Sequence, residues 1–298
     1  MNQIKTDNKK FLLYLIFVIG LTVVLLYIKF PSKALANYIR IQAEKSFSDI
    51  SINFRKLGLT LSPGIKIQGL SISLKEAPEI PVYFSEKTTI RVSVLGWLKG
   101  DSKYYFESFV KGGEISGFLE EKNEVKKERV DATIDIKGVK LDENTFIHPA
   151  LGERLEGVLT GKVTFMGNLS DPLKGITEIS LDLSEGKIKL KKTFLDMDVL
   201  EFKKMNISGV IDNRRLSIKD LNMTGGPVNG SATGTIQISN DLLGSRLNLK
   251  AEIEPSSSMG REAPGMEKAF NLVKSKMKDD KLPIEIRGTF DRLSYNFR

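Results

Sequence analysis

A mostly β body that follows one N-terminal transmembrane helix is the fold class predicted by the sequence. Eighteen residues without a charge run from position 11 to position 28, and no comparable run follows. From Ser51 onward, apolar and polar residues alternate in short stretches, which is the period of a half-buried β-strand. Gly, Asn, Asp and Pro separate these stretches, as turns require. We therefore expect an elongated, curved antiparallel β-sheet with a few capping helices.

The uncharged run is long enough to cross a membrane. At about 1.5 Å per residue, a helix of this length extends roughly 27 Å, close to the hydrocarbon thickness of a bilayer. The chain then divides into a tail (1–10), a transmembrane helix (11–28) and a body (31–298). The charge bias between the two flanks is small, but a short tail containing Lys5, Lys9 and Lys10 favours the cytoplasm. The body is accordingly expected on the other side of the membrane.

A cleaved signal peptide is the alternative interpretation of the same segment. Small residues at a cleavage site are available in Ala34-Leu35-Ala36. The apolar run is longer than the usual signal core, however, and Lys29, Pro31 and Lys33 come before the alanines. These features favour a retained anchor.

A first helix of the body is predicted at 32–47, where Pro31 and Ser32 form a start signal. Apolar residues recur there at three- and four-residue spacing and form one stripe. The favoured interpretation is a helix that covers the first part of the sheet. The alternative is an interfacial helix on the membrane, which Lys33, Arg40 and Lys45 would suit.

The alternating stretches predict more than a dozen strands. Between 51 and 75 the alternation changes phase at Gly58, at Pro63-Gly64 and at Gly69, as it does at a turn or bulge. Further strands are predicted at 89–95, 104–110, 130–136, 162–165, 178–183, 187–190, 203–207, 215–218, 234–238, 247–253, 283–286 and 293–297.

Three further segments bear on the organisation of the body. A loose repeat of Gly, polar, apolar, polar, apolar begins at Gly161, Gly186, Gly234 and Gly288, where glycine suits a bulge or a tight strand entry. The charged run 120–129 is either a linker between two units or a long hairpin loop. A second helix with one apolar face is predicted at 266–280, packed against the sheet.

No constellation of catalytic or metal-binding residues assembles in the sequence. The chain has no cysteine and one histidine, His148, so neither a thiolate nucleophile nor a histidine pair is available. Asp131 and Asp135 share one strand face and are expected to point to solvent. We predict no enzymatic activity, no cofactor and no metal.

The charge of the body argues against a nucleic-acid partner. The net charge is +8, and residues 1–29 carry four lysines and one aspartate, which leaves an excess of five positive charges on the body. This excess is mixed with many acidic residues, whereas nucleic-acid footprints show clustered Lys and Arg.

The number of inward-facing apolar residues exceeds what two helices can cover. An alternating sheet must bury its apolar face against something, and a groove for a ligand is one solution. The candidate lining of such a trough for acyl chains comprises Ile65, Ile67, Leu70, Ile72, Leu74, Val163, Phe165, Ile236 and Ile238. A closed core built from the same residues is the other interpretation.

Several of these segments together resemble a known family. The span followed by Phe30-Pro31, the run LSPGIKIQGL at 61–70 and the run KGGEISG at 111–117 are similar to the type II secretion system protein N (GspN) family. The segments LTGKVTF at 159–165 and GGPVNG at 225–230 resemble repeated strands of the broader AsmA-like proteins of the Gram-negative envelope.

That resemblance implies a single-pass protein of the cell inner membrane with its body in the periplasm. It implies an accessory role in type II secretion, with other secretion components as partners. The AsmA-like relatives imply the alternative function, lipid transfer or envelope homeostasis, with phospholipid held in an apolar β-sheet trough. Neither implies catalytic residues.

Overall fold

A computed structural model of the chain describes residues 3–46, 50–60, 62–75, 77–94, 96, 102–124, 127–141, 154–194, 197–239, 242–257, 271, 274–290 and 292–297. Within these ranges the side chains at some positions, among them 3–9, 19, 23, 24 and 26 of the first helix, are outside the description.

The described elements are two helices followed by fifteen strands, with short 3₁₀ turns between some of them. The helices are α1 (Gln3–Ile28) and α2 (Ser32–Ser46). The strands are β1 (Ile50–Asn53), β2 (Lys56–Leu59), β3 (Gly64–Leu74), β4 (Ala77–Val92), β5 (Ser102–Val110), β6 (Gly113–Glu124), β7 (Lys127–Leu141), β8 (Arg154–Gly167), β9 (Ile176–Phe194), β10 (Met197–Asp212), β11 (Arg215–Thr224), β12 (Val228–Gln237), β13 (Arg246–Pro255), β14 (Leu282–Thr289) and β15 (Leu293–Phe297).

All fifteen strands belong to one antiparallel sheet in which chain order is spatial order. Each strand from β3 to β15 pairs with the next, while β1 and β2 lie end to end along the free edge of β3. Short connections permit only antiparallel neighbours, so a chain of successive hairpins builds a meander. The predicted mostly β, antiparallel architecture is confirmed.

The first helix covers the uncharged run, and its described side chains are exposed. Phe11 and Leu13 are each 70% exposed and Phe17 is 64% exposed. Among the described residues, no helix is both long enough and apolar enough to cross a membrane.

The second helix lies against β1 and β2, at the first edge of the sheet. Three residues separate it from the end of α1. Arg40 of this helix places its guanidinium carbon 5.7 Å from the ring centroid of Phe54, which joins the two edge strands. The predicted covering position is thus observed.

Most of the predicted stretches coincide with strands, but two of them belong to a single strand. The stretches 178–183 and 187–190 are parts of one strand, β9, and not two. Glu185 has a φ of 50° between them. The side-chain alternation therefore changes phase there, while the pairing with β10 continues on both sides.

The charged run 120–129 lies across a hairpin. Cross-strand pairing between β6 and β7 continues through Lys122 opposite Arg129 to Glu124 opposite Lys127. Part of the helix predicted at 266–280 lies outside the described residues (266–270, 272 and 273). From 274 onward the prediction is wrong, because the chain there forms a 3₁₀ turn at Lys274–Lys276 and then a turn with positive φ at Asp279 and Asp280.

The enclosed core sits near one margin of the sheet. Its buried members come from five strands: Leu183, Phe202, Met223, Val228, Leu282 and Ile284. Met277, from the segment before β14, packs against this cluster. Part of the apolar surface is therefore closed, and the site described next is the part that is not.

Candidate functional site

One face of the sheet is apolar from one edge to the other, and we call it the apolar face. Directly opposed residues in neighbouring strands share a face, so the pairing registers trace rows across the sheet. One row crosses fourteen strands and contains only apolar residues and glycine. It consists of Leu59, Ile65, Ile90, Phe106, Gly117, Ile134, Val163, Ile179, Gly209, Ile218, Gly234, Leu249, Ile286 and Tyr295.

The opposite face is polar in the same register. A row one residue away consists of Lys66, Thr89, Glu107, Ser116, Asp135, Lys162, Ser180, Ser208 and Asp220. Alternating side chains therefore give the sheet one apolar and one mainly polar surface, and Tyr105 and Phe118 form an aromatic pair on the polar side.

The middle of the apolar face is not enclosed. Ile134, Val163 and Ile179 are half-buried, as are Ile218 and Leu249 further along the row. Neighbouring side chains on the same sheet face suffice for this degree of shielding, whereas a second packed layer would bury the row fully. Among the described residues, the centre of this face is consequently open to solvent or to a ligand.

Most of the predicted trough residues lie on the apolar face. Ile65 and Val163 belong to the row listed above, Ile67 to the next row on one side, and Phe165 and Ile236 to a row on the other. Ile67 is 5% exposed and the other four are half-buried.

A local change of phase keeps Leu70 and Ile72 on this face as well. Gly69 has a φ of 62°, and opposite it on β4 the exposed residues Glu86 and Lys87 follow one another. Because both strands change phase together, their register is preserved across the change. The prediction that the glycine resets the alternation is confirmed.

The two remaining predicted trough residues lie at or beyond strand ends. Ile238 lies beyond the end of β12, and its backbone N–H donates to the Arg214 carbonyl at 2.7 Å. Leu74 ends β3 opposite Ile50, and its side chain is outside the description.

The predicted residues do not meet in one compact pocket. Five strand spacings separate β3 from β8 and four more separate β8 from β12, or roughly 24 Å and 19 Å along the sheet. They mark three positions on one continuous surface. Sequence reasoning missed the connecting members Ile90, Phe106, Ile134 and Ile218, because only the register shows that they share a row.

A group of hydroxyls interrupts the apolar face near its first edge. Thr88 Oγ1 donates to Ser85 Oγ at 3.0 Å, Ser108 Oγ donates to Ser85 Oγ at 2.8 Å, and Ser85 Oγ donates to the Phe109 carbonyl at 3.0 Å. Tyr83 shares a hydrogen bond with Ser108. Ser85 is 0% exposed and Ser108 is 1% exposed, so these groups satisfy one another without water.

The depressions described on the surface lie mainly among polar-face residues. One of about 400 Å³ is bordered by Thr233, Lys250, Glu252 and Glu285. A second, of about 210 Å³, is bordered by Lys162, Ser180 and Ser208. Neither contains a predicted trough residue.

Ion pairs on the polar face account for the perturbed acids and bases. Asp131 accepts from Lys122 at 2.7 Å and from Arg129 at 2.9 Å. Burial opposes its ionisation, but the two donors outweigh burial and hold the pKa of Asp131 below its ordinary value. The same contact raises the pKa of Lys122. Asp131 thus lies on the polar, solvent-facing side of the sheet, as expected, and is in addition paired with two cations.

Among the residues that the structure describes, no group of three His, Asp or Glu side chains could hold a metal ion. Comparison of the chain with protein-family models, with curated proteins and with solved structures finds no match.

Proposed function

We propose that this protein is a membrane-anchored, non-enzymatic carrier that holds lipid acyl chains on the apolar face of its sheet. The observation that supports the proposal is the unbroken row of apolar residues and glycine across fourteen strands, with its centre half-buried. Transfer of apolar surface out of water contributes about 25 cal/mol per Å², so an uncovered face of this extent favours an apolar occupant.

Half-burial also supports a trough over a closed core. A closed core would bury the centre of the row, as the cluster around Leu183 and Phe202 is buried at one margin. An acyl chain is narrow and flexible enough to lie over half-exposed Ile, Val and Leu side chains. The open centre therefore favours the trough.

The anchor belongs to the same proposal. Residues 11–28 contain no charge, and the described side chains of this stretch of α1 are exposed. In a bilayer these side chains would lie among lipid tails, with the body (31–298) held at the membrane surface on the periplasmic side. Lipid would then reach the sheet without crossing bulk water.

Photo-crosslinking tests where the lipid lies without depending on a destabilising substitution. A benzophenone amino acid at Ile179 is expected to label co-purified phospholipid in the full-length protein, as read by mass spectrometry of the adduct. The matched control carries the same probe at Ser180, the next residue, on the polar face. Equal labelling at both positions, or none at Ile179, would refute the proposal.

An accessory role in type II protein secretion stays a prediction based on the resemblance to the GspN family. It would place the protein beside other secretion components, which it would contact through sheet edges and loops. Neighbouring genes for pseudopilins, the secretion ATPase and the secretin would support it. Neighbours for lipid synthesis or outer-membrane assembly would count against it and favour the lipid carrier.

A further inference from the structure

Arg40 has an unusual environment at the junction between α1 and the sheet. Its guanidinium lies over the Phe54 ring at 5.7 Å from the centroid. The Nε atom is buried and finds no hydrogen-bond acceptor among the described residues. A cation–π contact stabilises the charge but leaves this N–H without an acceptor.

An unsatisfied buried N–H on a charged group is costly. Leaving a buried donor unpaired destabilises the folded state, and the penalty is larger on a charged group than on a neutral one. A carboxylate or a phosphate is the usual partner of a guanidinium, because two parallel N–H groups of the guanidinium can donate to two acceptor oxygens at once. The position therefore suits an acidic group supplied from outside the described chain.

The surroundings of Arg40 are suited to an amphiphile. Phe54 follows Ile52 at strand spacing, so both side chains lie on one side of the edge strand. Ile52 is opposite Ile72, and Leu57, after the break between β1 and β2, is opposite Ile67 on the apolar face. An anionic head at Arg40 would thus have its apolar tail at the first edge of that face.

The position of α2 favours a membrane lipid as the source of the anion. The helix begins three residues after α1, and Tyr38 and Ile41 are 60% and 51% exposed on it. Lys33 lies seven residues before Arg40, on the same side of the helix and nearer to α1. Exposed apolar side chains and cations on one short helix are typical of a bilayer interface.

We infer that Arg40 binds the phosphate of a membrane phospholipid whose acyl chains enter the apolar face at Phe54. This inference rests on the proposed lipid-carrying function and adds the residue that binds the lipid phosphate and the point where the acyl chains enter. A lipid of the same chain length without a phosphate lacks the acceptor that Arg40 requires.

Native mass spectrometry of the detergent-purified full-length protein can test the inference by competition. The probes are phosphatidic acid and diacylglycerol with identical acyl chains. Wild-type protein is expected to prefer the phosphatidic acid by about tenfold or more, the range of a charge-assisted hydrogen bond. R40Q should lose most of this preference and retain diacylglycerol binding, while R40K should recover part of it.

The control R215Q removes an equal charge from an exposed position on β11 and should keep the preference. Circular dichroism and thermal unfolding check that the variants fold. An unchanged preference in R40Q would overturn the inference and leave the lipid carrier intact. If neither the wild-type protein nor any variant bound either lipid, the proposed function itself would be overturned.

Competition with inorganic phosphate distinguishes the two possible sources of the anion, a lipid head group and a free phosphate ion. Inorganic phosphate at millimolar concentration is expected to leave the bound phosphatidic acid in place, because it lacks the apolar contribution. If inorganic phosphate displaced the phosphatidic acid at an equal concentration, Arg40 would be a site for free anions and the lipid assignment would be refuted.

Discussion

At the scale of single residues, glycine on the apolar face permits close strand contact. Gly234 has a φ of 143°, a region that residues with a Cβ rarely adopt. A Cβ there would lie 2.8 Å from Leu249 Cα and closer still to the Asn248 carbonyl oxygen. Both atoms belong to backbone, so the neighbouring strand cannot move aside cheaply.

Replacement of Gly234 by alanine is expected to destabilise the sheet. The combined strain and overlap should lower the free energy of unfolding by about 2 kcal/mol or more, measured by urea denaturation. The control is Gly58→Ala, because a Cβ at Gly58 meets nothing within 4 Å. A tolerated Gly234→Ala would contradict the close approach of β12 and β13.

The ion pairs of Asp131 predict a pH dependence of stability. Its pKa is lowered in the folded state, so the folded protein favours the charged form. This stabilisation is complete above the unfolded pKa of about 3.9 and is lost as the pH falls through the lower folded value.

Asp131→Asn should therefore cost about 1 kcal/mol at pH 7, with the difference from wild type vanishing toward pH 2. Thermal unfolding across this range is the measurement. Asp135→Asn removes the same charge from the same strand face and serves as control. A penalty for Asp131→Asn that grows as the pH falls would contradict the assignment.

At the scale of elements, buried hydroxyls tie β4 to β5 within the otherwise apolar face. Ser108 shares hydrogen bonds with Tyr83, Ser85 and Thr88. Removal of Ser108 takes one hydrogen bond from each of these three hydroxyls in a site that water does not reach. This junction should hold the first strands together next to α2.

Ser108→Ala is expected to lower the free energy of unfolding by about 1–3 kcal/mol. Ser116→Ala, on the neighbouring strand but on the polar face, should change it by less than about 0.5 kcal/mol. Denaturant titration of both variants measures the difference. Equal, small effects would show that the hydroxyls contribute little to the junction.

At the scale of the whole molecule, an exposed helix and a one-layer sheet are joined through α2. From β3 to β15 the sheet makes twelve strand spacings, or roughly 58 Å measured along it. The apolar face follows this whole path. A face of that extent provides far more apolar surface than a single small-molecule site requires.

Charges placed in the middle of α1 test the proposed anchor. In the double variant Val18→Arg and Leu21→Arg, each arginine should make the free energy of membrane insertion less favourable by about 2.5–3.5 kcal/mol. The variant is expected in the soluble fraction after carbonate extraction, with the circular dichroism of the β body unchanged. The conservative pair Val18→Leu and Leu21→Val should stay with the membrane. A mature N-terminus after Ala36 would instead demonstrate cleavage and refute the anchor.

Local periodicity explains why the strands were predictable. Alternation of apolar and polar residues is set by neighbours in sequence, so most predicted stretches coincide with strands, and Gly69 was recognised as a change of phase. Glu185 shows the limit of this reasoning. A phase change that follows a non-glycine residue at positive φ resembles a strand end, although the strand continues.

By itself, the sequence determined the strand content, the two-sided character of each strand and the uncharged N-terminal run, because these depend on residues close together in the chain. Only the tertiary structure decided that Val163, Ile179 and their counterparts fall into one row, since register is set by pairing between distant strands. It alone placed Arg40 over Phe54 and Asp131 between Lys122 and Arg129. Within the part of the chain that the structure describes, it also left the centre of the apolar face uncovered, because successive hairpins extended one sheet and did not close a second layer over it.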